Sequence, residues 1–85
     1  MRTNVPLPVR PACEAMVRNY ADRYGAAFGL TARDVLGRRR TADHVRARNA
    51  VMRRLWEDGF SSPEIGALLD RDHTTVLFAL GRLNR

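Results

Sequence analysis

With 85 residues the chain suffices for one small domain that buries roughly 60–65% of its unfolded surface, and it is too short for a second. The formal net charge of +6 points to a polyanionic partner, and all 15 basic residues are Arg. The lack of Lys excludes a P-loop lysine, a Schiff base and a Ser-Lys dyad, while the lone Cys13 excludes an intramolecular disulfide and a cysteine-rich zinc site.

No run approaches the ~20 apolar residues of a membrane span, and Met1-Arg2 is not followed by the apolar core of a signal peptide. An unpaired thiol suits a reducing compartment, so a cytoplasmic protein without a membrane partner is expected.

Pro6, Pro8 and Pro11 mark residues 1–11 as an extended, flexible arm, whose Arg2 and Arg10 carry charge that DNA can use. From Ala12 to about Ala27, Cys13, Met16, Val17, Tyr20, Tyr24 and Ala27 recur at three- and four-residue intervals, which predicts an amphipathic helix. Tyr20 and Tyr24 read as core on that stripe, and Gly25 and Gly29 bracket a weakening helix end. Thr31 is an N-cap for a short helix carrying Val35 and Leu36, which Gly37 ends.

A basic loop, Arg38-Arg39-Arg40-Thr41-Ala42-Asp43-His44, comes next. From Val45 to Asp58 a longer helix sets Ala47, Val51 and Leu55 on one line, with Met52 and Trp56 beside them, as core. Arg46, Asn49 and Arg53 follow another line flanked by Arg48 and Arg54, a surface that can lie along a phosphate backbone. Gly59 is a candidate left-handed residue past the helix end, and Phe60 an apolar plug before the next helix.

The last third reads as a helix-turn-helix. Ser61 and Glu64 match a capping box, Pro63 suits a first helical turn, and Ile65, Leu68 and Leu69 share a face, with Gly66 leaving room for a close crossing. Asp72 caps a final helix expected to run to Arg85. Val76, Leu80 and Leu83 pack inward in that helix, whereas Thr75, Phe78, Arg82 and Arg85 face out. Its first turn, Asp72-His73-Thr74-Thr75, carries short polar groups of the kind a recognition helix presents to base edges.

The run Arg71-Asp72-His73-Thr74-Thr75-Val76-Leu77, with Pro63-Glu64-Ile65-Gly66 before it, resembles the C-terminal DNA-binding domain of the bacterial replication initiator DnaA. The likeness extends back to about Leu30. It implies an all-α domain over residues 12–85, a bundle of about five helices. It also implies sequence-specific binding to double-stranded DNA in replication or transcription control, by a nucleoid-associated protein. No zipper or long seam is available, so a monomer is expected, and no catalytic constellation is visible, so neither a cofactor nor enzymatic activity is expected. Carried over by position, Arg40 would enter a minor groove, Asp72, His73 and Thr74 would read bases, and Arg38, Arg39, Arg48, Asn49, Arg71 and Thr75 would hold phosphates. The implied site joins an A·T-rich minor-groove half to a major-groove half similar to a TTATxCACA-type box.

Departures from the pattern imply a related, non-identical site. The stretches from Gly66 to Arg71 and from Arg48 to Pro63 are each one residue short, Phe78 replaces a phosphate-contacting His, and Asn49 replaces Gln. The rival reading is an interaction module that docks on RNA polymerase or another regulatory protein, with Phe78 as its exposed apolar contact. A metal site from His44, His73 and Asp72, or a catalytic constellation, is not suggested by the spacing.

Overall fold

A computed structural model describes residues 10–81; residues 1–9, which include most of the expected arm, and residues 82–85 lie outside the described part. Among the described residues five helices follow one another: α1 (Arg10–Ala26), α2 (Ala32–Leu36), α3 (Ala42–Glu57), α4 (Ser62–Leu69) and α5 (His73–Ala79). No strand occurs among the described residues, and no helix there is long and apolar enough to cross a membrane.

α1 and α3 form the frame. Val17 and Ala21 of α1 meet Val35 of α2 and Val51, Met52 and Leu55 of α3, while Ile65, Leu69, Val76 and Leu80 bring the last two helices onto the same core. Each such Val, Leu, Ile or Met side chain stabilises the fold by roughly 1.5–3 kcal/mol relative to exposure, so the period-3.6 stripes hold the bundle together. Tyr20 and Tyr24 pack half-buried at its edge, their rings 6.3 Å apart.

Three expected element boundaries move, each for a local reason. α1 starts at Arg10 with Pro11 in the first turn, where no N–H donor is needed, two residues ahead of the expected start. α3 starts at Ala42 rather than Val45, because Thr41 is its N-cap and accepts from the His44 N–H at 3.3 Å; the basic loop is shortened to residues 38–40. α5 ends at Ala79 rather than running to Arg85. Leu80 closes it and Gly81 adopts φ 71°, a left-handed stop that strains an L residue.

Gly25, expected to weaken the end of its helix, is instead a point of close contact. It is buried inside α1, where a Cβ would lie 2.7 Å from Val35 Cγ2 and 2.8 Å from the Leu30 carbonyl oxygen. The lack of a side chain thus lets α2 fold back on α1. The expected cap of α2 is present in full: Asp34 N–H donates to Thr31 Oγ1 at 3.2 Å, and Thr31 N–H donates to Asp34 Oδ2 at 3.0 Å.

Candidate nucleic-acid interface

The helix-turn-helix forms as its local signals dictate. Ser61 and Glu64 close a reciprocal capping box, with Ser61 N–H donating to Glu64 Oε1 at 2.7 Å and Glu64 N–H donating to Ser61 Oγ at 3.3 Å. Pro63 sits in the first turn of α4. The turn between the helices is tight: Arg71 N–H donates to the Gly66 carbonyl at 2.7 Å, and a Cβ on Gly66 would collide with the Arg71 carbonyl oxygen. Gly66 therefore makes room for the turn backbone and, with His73 N 3.4 Å from the same Cβ position, for the start of α5. Asp70 takes φ 55° and ψ 50°, the left-handed geometry that ends α4.

α5 then presents its first turn to solvent. Asp72 caps the helix, its Oδ1 accepting from Thr74 N–H at 3.5 Å and lying 3.3 Å from His73 Nδ1. Its Oδ2 takes part in neither contact. Asp72, His73, Thr74 and Thr75 are all exposed, while Val76 behind them is fully buried and fixes the helix on the core.

An open groove of about 570 Å³ runs between the basic loop, α3 and α5. Arg38 and Arg40 line it on the loop side, Arg48 and Asn49 on the α3 side, Arg71 at the turn, and Thr75 and Phe78 on the α5 side; no carboxylate is among its lining residues. Arg38, Arg39 and Arg40 are exposed, and Phe78 is 54% exposed. Arg38 Nη2 reaches across the turn to Asp70 Oδ2 at 2.9 Å.

Two of the arginines expected at phosphates have other partners. Arg48 is only 6% exposed; its Nε donates to the Val35 carbonyl, and its Nη2 to the carbonyls of Gly37 and Arg39, all at 2.9 Å. Arg71 is half-buried, with Nη2 donating to the Gly37 carbonyl at 2.5 Å and Nη1 to those of Leu69 and Asp70 at 3.1 Å. Burial lowers the pKa of both, followed by the nearby charge of Arg71 on Arg48 and of Arg38 on Arg71. Sequence reasoning missed these roles because a charged residue on a helix, as at Arg48, or in a turn, as at Arg71, reads as solvated by default.

Arg54, expected on the basic flank of α3, also faces elsewhere. It stacks over the Tyr20 ring at 5.0 Å and pairs with Asp58 at 3.3 Å. His44 is buried, with Nδ1 2.5 Å from Thr41 Oγ1, and does not converge with His73 or Asp72; among the described residues no group of three His, Cys, Asp or Glu side chains is placed to hold a metal ion.

The family described as bacterial dnaA protein helix-turn-helix matches residues 25–82, more than half of the chain. The chain belongs to the bacterial DnaA helix-turn-helix family. No curated protein and no solved structure matches it. The match covers the loop, α3 and both helices of the motif, so the groove lies wholly within the DnaA-type unit, a DNA-binding domain. Where the DnaA pattern carries a glycine-bearing turn, this chain closes a shorter turn with Asp70 in the left-handed region.

Proposed function

We propose that the chain binds double-stranded DNA sequence-specifically as a monomer in the cytoplasm, with α5 in a major groove and the loop 38–40 in the adjoining minor groove. It acts as a regulator of transcription or replication, or as the DNA-binding domain of a larger such protein. One observation carries this reading: a single carboxylate-free groove is lined both by Arg40 of the loop and by Thr75 of α5. A cation on one rim and an exposed polar helix start on the other are what two adjacent DNA grooves require.

In this arrangement the guanidinium of Arg40 enters a narrow A·T-rich minor groove, drawn by its enhanced negative potential. Asp72 Oδ2 accepts from a cytosine amino group, the Thr74 methyl touches a thymine methyl, and His73 meets the neighbouring base edge. Arg38, Arg39, Asn49 and Thr75 hold phosphates. Fluorescence anisotropy with labelled duplexes tests this: affinity falls steeply with salt, and a preferred duplex binds more tightly than a scrambled one.

The exposed Phe78 ring favours a second reading, a module that docks on RNA polymerase or another regulator. Salt-steep duplex binding that is indifferent to Phe78→Ala speaks against it.

A further inference from the structure

We propose that Arg48 and Arg71 are positioning residues of the interface, which hold the backbone of residues 37–39 in the path that presents Arg40. The inference rests on the DNA-binding reading for its consequence, but not for its geometry.

The loop has no backbone ladder to hold its shape. Among the described residues no backbone–backbone hydrogen bond involves residue 38, 39 or 40; the last one before them runs from Gly37 N–H to the Asp34 carbonyl at 3.3 Å, and the next from Val45 N–H to the Thr41 carbonyl. Three adjacent exposed arginines repel one another, so the segment left to itself would splay. Instead the Gly37 and Arg39 carbonyls are held by Arg48 Nη2, and the Gly37 carbonyl a second time by Arg71 Nη2.

Arg suits this task because its planar guanidinium offers five donors in a fixed fork, and one side chain can serve several carbonyls at once. Arg48 engages Nε and Nη2 in this way and is nearly buried. A phosphate could claim those donors only by releasing the loop. Arg71 extends the clamp to the turn of the helix-turn-helix, because its Nη1 also holds the Leu69 and Asp70 carbonyls. The reading turn and the minor-groove loop are therefore braced against each other through one peptide carbonyl.

The test uses Arg48→Lys and Arg71→Lys, which keep the charge and lose the fork, in the full chain. Backbone ¹⁵N relaxation is measured first, without DNA. In the unsubstituted protein the heteronuclear NOE of residues 38–40 should approach that of α3; it should fall in Arg48→Lys, and to a smaller extent in Arg71→Lys, with α3 unchanged. Unchanged values at 38–40 in a folded variant overturn the proposal. Arg71→Lys, at a half-buried position, decides the same question if Arg48→Lys does not fold.

Duplex binding is measured second, as a cycle with Arg40→Ala. Arg48→Lys should lose about tenfold or more on a duplex with an A·T-rich flank, the loss expected when one groove contact is misplaced. It should lose little more once Arg40 is already Ala. Losses that multiply independently mean that Arg48 does not act through the loop that presents Arg40, and overturn the proposal. If the unsubstituted protein binds no duplex, the DNA reading fails, and the relaxation result alone decides whether the clamp exists.

Discussion

Arg48 and Arg71, on different elements, donate to the same oxygen atom, the Gly37 carbonyl, at 2.9 and 2.5 Å. Two cations thus lie side by side at the root of a loop that carries three more. Like charges this close raise the electrostatic energy of the free protein, and an anion in the groove relieves it. The basic loop is accordingly strapped to α3 and to the turn, with its own charges turned to solvent.

The exposed pair between Arg38 and Asp70 sets a limit on that charge, because a carboxylate occupies a guanidinium proposed above to hold phosphate. Both side chains are largely exposed, at 78% and 88%, so the pair itself contributes little to stability, about 0–1 kcal/mol. Asp70→Asn keeps a residue that tolerates the left-handed conformation and removes the competing charge. Urea unfolding should change by no more than about 1 kcal/mol. Affinity for any duplex should rise, with the slope of log K against log salt steeper by up to about one.

Gly66→Ala should destabilise the domain, although Ala is the better helix former. The added Cβ meets the Arg71 carbonyl oxygen, which is backbone and has no rotamer to yield. Overpacking of this kind costs roughly 1–3 kcal/mol, against a propensity gain near 1 kcal/mol. Chemical denaturation reads the balance. A more stable variant would show that the turn has slack.

Reading and positioning residues should separate by their dependence on sequence. Thr74→Ala is expected to cost roughly 1–3 kcal/mol on the preferred duplex and little on a scrambled one. Arg39→Ala should weaken both by a similar factor and lower the salt slope by about one. Equal behaviour of the two variants on both duplexes would mean that α5 does not read bases.

Acidification should release the cap of α2. The Thr31 backbone N–H, then its hydroxyl, hold the Asp34 carboxyl below its ordinary value of 3.8. A carboxyl whose pKa is lowered in the fold contributes stability that is complete above the ordinary value and is lost as pH falls through the lowered one. The stability difference between the unsubstituted protein and Asp34→Asn should therefore be constant at neutral pH and shrink below pH 3.8. A difference independent of pH would mean that the carboxylate charge plays no part.

Much of the fold is legible in the sequence where a residue acts on its own neighbours. Ser61, Pro63 and Glu64, Thr31, and Asp72 each announce a helix start through chemistry confined to one turn, and each does so in the structure. The end of α5 is hidden because Val76, Leu80 and Leu83 continue an apolar period straight through Gly81. The start of α3 is hidden because Thr41 follows a charge run and precedes three residues without an apolar stripe. At the interface, sequence singles out residues but not their partners. Arg40, Thr74 and Thr75 are exposed, whereas the partners of Arg48 are carbonyls of residues 35, 37 and 39, which only tertiary folding brings to it.

The most direct test of the central claim is selection of bound sequences from a random duplex library at several salt concentrations. The arrangement of α5 beside the Arg38–Arg40 loop predicts enrichment of a short C- and A-containing core flanked on one side by an A·T-rich tract, with the flank preference lost in Arg40→Ala. No enrichment at any salt concentration, together with recovery of RNA polymerase or another regulatory protein in a pull-down that Phe78→Ala abolishes, would contradict it.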